Sequence, residues 1–394
     1  MTTTSRAMFA LLAMTTIALA PTASAEPDGP QPMAAHGVEA PLSAVPWSQV
    51  GPGWMLGMWS PAPGLHTGES PPPGSPSWQT ATRTLYLVDP AGGRYPITTF
   101  PPPGDGAPTG LVDWSGDGTR ALFTTEGKGQ TVLTEVDLRS GTKTSFTVDR
   151  TDVTAHYTRP DGKAVLLYKW KGSKPASLER FDLAGNRQLT YPVGEDLDGY
   201  LSAPDGTRLV VGTATGLALM GNDGSAGRAV PVAAGQKDCT PLRWWDTGSS
   251  TALTRCESSA GSQLWLVPID GGTPTALTAP NNGQHSPDYG DLNAWQLPSG
   301  TFLQAAGACG VVFLAKLNGD GTTSRVSVPG VTSDSVVVVG AHGGDLQLKT
   351  RAGCGSGQSL IDYNPAAGTS TVLLGPSVNG GGVVSAVPYP GQRT

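Results

Sequence analysis

Three stretches decide the fold: WSGDGTRALFTT (114–125), RPDGKAVLLYKW (159–170) and APDGTRLVVGTA (203–214). Each sets an Asp-Gly turn ahead of an apolar run. Glycine accepts a positive φ without a Cβ clash, so Asp-Gly between β-prone segments predicts a tight hairpin. The turn glycines Gly118, Gly162 and Gly206 are spaced by 44 residues each time. Weaker versions of the turn follow at Gly248 (WDTGSSTALT), Gly300 (LPSGTFLQA) and Gly344 (AHGGDLQLK).

A second turn recurs inside each unit, as DPAGGR (89–94), DLRSGTK (137–143), DLAGNR (182–187) and their counterparts up to NPAAGTS (364–370). A short β-prone run precedes and follows each one. Every unit therefore reads strand, turn, strand, loop, strand, turn, strand. Seven such units start near Trp47, Gly110, Thr154, Asp198, Cys239, Asp291 and Ser335. A period of about 40–50 residues with four short strands is the signature of a propeller blade. The expected fold is all-β, a single β-propeller of seven four-stranded blades, with six or eight as the alternative counts. Ring closure needs a strand from the far end of the chain. Val383–Val387 is expected to supply it within the N-terminal blade, and the segment Trp47–Val50 competes for the same innermost place.

Composition agrees. Gly is 54 and Pro 35 of 394 residues, and charged residues are only 14%. No stretch after the N-terminus carries the period of an amphipathic helix. Residues 1–25 have the layout of a secretory signal peptide: Arg6, an apolar run from Ala7 to Ala20, and small residues at Ala23 and Ala25. Cleavage after Ala25 removes Arg6 and takes the formal charge from −6 to −7. An acidic chain with dispersed Lys and Arg excludes nucleic acid as an expected partner. No membrane span is expected. Residues 26–46 read as a disordered Pro/Gly-rich leader, residues 47–394 as the propeller domain, and Pro61–Ser77 as an inserted loop. The expected location is secreted, either extracellular or associated with the cell envelope.

Four cysteines, Cys239, Cys256, Cys309 and Cys354, allow three pairings in an exported chain. Cys239 begins a first strand and Cys256 ends the second strand of the same unit, so those ends are neighbours. The expected pairs are 239–256 and 309–354.

The repeats WSGDGTRALF, RPDGKAVLLY and APDGTRLVV resemble the PD40-type (WD40-like) propeller repeat of TolB and of prolyl-oligopeptidase-like peptidases. The resemblance covers residues 110 to 232. It implies a propeller; it does not imply a reaction, because many functions share this fold.

Motifs of catalysis are missing: there is no G-x-S-x-G elbow, H-E-x-x-H pair or phosphate-binding loop. The linkers between blades all emerge on one face of a propeller. They carry Asp149, Asp152, Glu195, Asp196, Asp198, Asp238, His285, Asp288, Asp291 and Asp334, an expected acidic rim facing a ligand. Such a rim suits a cationic peptide or a hard cation such as Ca²⁺; no cofactor and no metal ligands are assigned. Trp114, Tyr157, Tyr200, Trp244, Trp245 and Trp295 are expected to fill space between blades, with one of Trp244 and Trp245 turned away from the packed face. The expected function is a non-catalytic, monomeric binding scaffold for a protein or cell-envelope component. The alternative is a secreted propeller enzyme (lactonase, lyase or glycan-active hydrolase) with His156, Asp198, Asp238, Asp288 and Asp291 converging at the central channel.

Overall fold

The Asp-Gly turns form as their chemistry requires. Gly118, Gly162 and Gly206 have φ of 74°, 64° and 73°. In the first, Asp117 Oδ1 accepts hydrogen bonds from the Thr119 N–H and hydroxyl at 3.1 and 2.8 Å. Asp205 holds Thr207 the same way, at 3.0 and 2.9 Å. These side-chain bonds close each hairpin turn locally.

The computed structural model describes residues 33–169, 176–225, 227–283, 290–307, 310–331 and 335–390. Among them the strands form seven four-stranded antiparallel sheets. Blade 1 holds β1 (Met55–Ser60), β2 (Arg83–Val88) and β3 (Arg94–Phe100). Blade 2 holds β4 (Gly110–Trp114), β5 (Arg120–Glu126), β6 (Thr131–Asp137) and β7 (Lys143–Val148). Blade 3 is β8 (Val153–Tyr157), β9 (Ala164–Lys169), β10 (Ser177–Asp182) and β11 (Arg187–Thr190). Blade 4 is β12 (Tyr200–Ser202), β13 (Arg208–Thr213), β14 (Gly216–Gly221) and β15 (Arg228–Val230). Blade 5 is β16 (Lys237–Trp244), β17 (Thr251–Ser258), β18 (Gly261–Pro268) and β19 (Thr275–Ala276). Blade 6 is β20 (Asn293–Leu297), β21 (Gly300–Ala306), β22 (Val312–Leu317) and β23 (Thr323–Arg325). Blade 7 is β24 (Ser335–His342), β25 (Asp345–Arg351), β26 (Gly357–Asn364) and β27 (Thr369–Leu374). The last strand, β28 (Gly382–Pro388), completes blade 1 in the order β28-β1-β2-β3.

The tail therefore wins the innermost place. Leu56 pairs with Val387 and Trp59 with Val383, around a bulge between Met58 and Trp59. Trp47–Gln49 instead makes a 3-10 turn after Pro46. Its Trp47 ring lies under the Arg139 guanidinium of blade 2 at 4.9 Å.

Part of the segment read as a disordered leader is ordered. Glu39 bridges Arg94 in parallel, and the Arg94 N–H donates to the Val38 carbonyl. The Ala34 N–H donates to the Tyr95 hydroxyl at 2.9 Å, and the Tyr86 hydroxyl to Glu39 at 3.0 Å. Val38–Ala40 finds the open edge of β3, which supplies the backbone partners that composition alone does not reveal. Residues 1–32 lie outside the described residues.

Energetically the ring is seven seams. Each hydrophobic cluster draws on two adjacent blades, from the blade 1–2 seam (Leu56, Leu87, Trp114, Phe123) to the blade 7–1 seam (Leu360, Leu374, Met55, Val383). Successive residues serve opposite seams. Phe123 packs toward blade 1 and Leu122 toward blade 3, which is the period of two applied to a sheet buried on both faces. Trp244 and Trp245 obey the same alternation. Trp244 is buried against blade 4, and Trp245 packs against blade 6, so neither is left without a packing partner. Arginines after the Asp-Gly-Thr turns clamp the seams: Arg120 donates to the Asp161 carbonyl at 2.6 Å, and Arg208 to that of Ser249 at 3.1 Å.

Cys239 and Cys256 form a disulfide across blade 5. Cys354 is also disulfide-bonded, and Cys309, its expected partner, lies outside the described residues.

Candidate functional site

Two regions collect functional chemistry: the face of the blade linkers and the central channel. On the linker face, Asp149, Asp152, Glu195 and Asp196 are exposed, and Asp198 and Asp238 are half-buried. Asp291 is the exception. Asp291 is only 4% exposed. It accepts hydrogen bonds from the Ser262 hydroxyl and the Asn281 amide, with Arg255 at 3.8 Å. A carboxylate buried beside such donors is a latch between blades 5 and 6, and it is unavailable to a ligand. The Arg150 guanidinium in the same linker as Asp152 is held by Glu179 through two hydrogen bonds, at 2.8 and 3.1 Å. His285, Asp288 and Asp334 lie outside the described residues.

Between the blade 3–4 linker and the β13–β14 turn is a groove of about 180 Å³. Pro192, Val193 and Leu197 form one wall, and Val211, Ala218 and Met220 the other, with Asp196 at the lip.

The channel is lined by the first strands of the blades. One cavity of about 250 Å³ is bounded by Leu201, Leu242, Val338, Val339 and Pro388, with Arg243, Asn293 and Trp295. A second, of about 200 Å³, shares Leu201 and Leu242 and adds His156, Arg159 and Tyr200. His156 Nδ1 and the Tyr200 hydroxyl share a hydrogen bond of 3.0 Å. Burial holds the His156 imidazole below its usual range; Asp113 opposes this and Arg159 adds to it. Burial likewise pushes the Tyr200 hydroxyl up, so both groups are neutral near pH 7. Arg159 pairs with Asp113 at 2.8 Å. The other Asp113 oxygen accepts the Tyr157 N–H at 2.8 Å. Arg159 and Asp113 lie in neighbouring blades, and their pairing escapes sequence reading because only the ring brings them together.

His156 lines the channel, Asp198 stands in the blade 3–4 linker, Asp238 lies at the start of β16, and Asp291 is in the blade 5–6 seam; Asp288 is outside the described residues. Among the described residues, no group of three or more His, Cys, Asp or Glu side chains has the arrangement of a metal site. None of their helices is long and apolar enough to cross a membrane.

A carboxyl pair went unnoticed in the sequence. Asp362 of β26 and Asp345 of β25 are hydrogen-bonded on blade 7. Burial first, then the Asp345 charge and this hydrogen bond, push the Asp362 carboxyl up to about 7. Gln347, register partner of Asp362, donates to the Gly53 carbonyl at 2.8 Å. The pair is brought together by the β25–β26 register, Leu346 against Tyr363 and Gln347 against Asp362.

No protein-family model matches the sequence, and comparison with curated proteins finds no match. Among solved structures, the β-propeller domain of the Trilobed protease from Pyrococcus furiosus is similar at 9% identity and a TM-score of 0.49, covering 81% of this chain and 98% of that one. TolB from Acinetobacter baumannii has 13% identity and a TM-score of 0.41, over 69% of this chain and 62% of its own. Oligogalacturonate lyase from Vibrio parahaemolyticus has 13% identity and a TM-score of 0.46, over 82% and 85%. By its own topology the chain is a seven-bladed β-propeller; the repeat resemblance implied a propeller, and the blade count comes from the seven units.

Proposed function

We propose that the protein is an exported, non-catalytic, monomeric binding scaffold that takes a protein or cell-envelope partner on its linker face. The observation that carries this reading is the groove between Pro192–Leu197 and Val211–Met220, apolar on both walls with Asp196 at its lip. Such a site suits a partner segment with an apolar side chain next to a cation. The Cys239–Cys256 disulfide fits the oxidising compartment that export implies.

The test is a crosslinking pull-down with residues 26–394 against envelope and secreted fractions, with and without chelator. Ala218→Trp fills the groove and Asp196→Lys reverses its lip. A partner captured by the unaltered protein and lost in both variants, at unchanged thermal midpoints, supports the reading. Equal capture by all three, or capture by none, sinks it. Loss on chelation brings Ca²⁺ into the site.

A second reading, a propeller enzyme, is favoured by the neutral His156–Tyr200 pair facing the channel. Turnover in a screen of lactones and acidic glycans, abolished by His156→Ala, decides for it.

A further inference from the structure

The seam that closes the ring, between blades 7 and 1, is built on an unusual second strand. The second strands of blades 3 and 4 give leucine or valine to both of their seams: Leu166 and Leu167, Val210 and Val211. In β25, Leu346 and Leu348 pack toward blade 6. The alternate residues Asp345, Gln347 and Lys349 take the face toward blade 1. Two of them cross to backbone there. Gln347 donates to the Gly53 carbonyl at 2.8 Å, and Lys349 to the Val384 carbonyl at 3.1 Å.

Asp362 shares this face, two residues along β26 from Leu360 of the same seam. Its hydrogen bond with Asp345 requires a proton between them, because two ionised carboxylates offer only acceptors. Asp345 Oδ1 and Gln347 Oε1 are buried without a hydrogen-bond partner. Such oxygens disfavour closure, and contact with water relieves them. Around the pair, β27 sets Thr371 opposite Asp362, and β24 sets His342 opposite Asp345. Blade 1 brings Met55, Val88 and Tyr86, and the Tyr86 hydroxyl donates to Glu39, which pairs with Arg94. The closing strand β28 brings Val383 and Ala386. The charge that acts on Asp362 is that of Asp345.

We propose that the blade 7–1 seam is a proton-operated joint, closed while Asp345 and Asp362 share one proton and parting when both are ionised. Opening returns Asp362 to water and to its ordinary value of 3.8. Closure is therefore favoured in full below that value, and the advantage is lost as pH rises to about 7, where the buried carboxyl ionises. The joint is independent of the linker-face groove.

Thiol labelling reads the joint in the folded 26–394 chain with its disulfides intact. Val88→Cys places a thiol in the blade 7–1 seam and Val210→Cys one in the blade 4–5 seam, both at fully buried positions. Iodoacetamide rates are divided by that of a free cysteine peptide at each pH. The ratio at Val88→Cys should rise about tenfold between pH 5.5 and pH 8, and that at Val210→Cys should stay flat. Asp362→Asn, added to Val88→Cys and always neutral, abolishes the rise; His342→Gln leaves it. Where Asp362→Asn fails to fold, Asp345→Asn removes the like charge and moves the rise to lower pH. A flat ratio at Val88→Cys overturns the proposal. So do an equal rise at Val210→Cys, a rise that survives Asp362→Asn, a rise lost with His342→Gln, and one that Asp345→Asn leaves in place.

Discussion

At the scale of single residues, the charges that matter have been drawn inside. Asp113, Asp291 and Asp362 each trade water for partners within the blades, and for Asp362 the trade ties stability to protonation. Asp362 is the one whose carboxyl is pushed up to about 7. The folded state thus holds a proton that the unfolded chain, at its ordinary value of 3.8, releases. Its contribution is complete below that ordinary value and is lost as pH rises toward 7. Asp362→Asn, always neutral, should raise stability at pH 8 by about 2 kcal/mol, discounted for partial exposure, and flatten the profile between pH 4 and pH 7. Urea unfolding across that range reads the effect; an unchanged slope refutes it. His156 runs the other way. Its lowered imidazole favours the neutral form, so its contribution is present above the ordinary value of 6.5 and declines as pH falls below it. None of these environments was legible in the sequence. Asp113 meets the Tyr157 amide one repeat away, and Asp291 reads from sequence as one more linker carboxylate until blade 5 is laid against blade 6.

At the scale of elements, the turns carry most of the information. First strands begin at Gly110, Val153, Tyr200, Lys237, Asn293 and Ser335, within two residues of the last six unit starts read from sequence; the first, Trp47, falls in a 3-10 turn ahead of β1. Glycine turns and β-prone runs are local properties, so they survive without an alignment. The disulfide was legible for the same reason, since Cys239 near the start of β16 and Cys256 near the end of β17 are neighbours in one hairpin. It closes a loop of separation 17. Replacing both cysteines by alanine should cost about 3 kcal/mol, read as a lowered urea midpoint with an unchanged slope. A cost near zero would mean that packing of Cys239 and Cys256 in the blade 4–5 seam already fixes the hairpin. The N-terminal strap on β3 was not legible. Its pairing depends on an open sheet edge that exists only once blade 1 has formed.

At the scale of the molecule, stability belongs to the ring. Among the described residues no blade has a core of its own; every apolar cluster spans two. A chain ending at residue 381 lacks β28. It should replace one cooperative thermal transition by a broad one, because blade 1 loses its inner strand and both of its seams are weakened. A sharp transition at the original midpoint would show that the seams alone hold the ring. The same strand also sets the order of events in time. As the chain is made from its N-terminus, residues 55–100 emerge first, yet Leu56 waits for Val387 to complete its sheet. The first blade made is the last one finished. Until then the β1 edge stays open, and only residues 382–388 supply the backbone partners that close it.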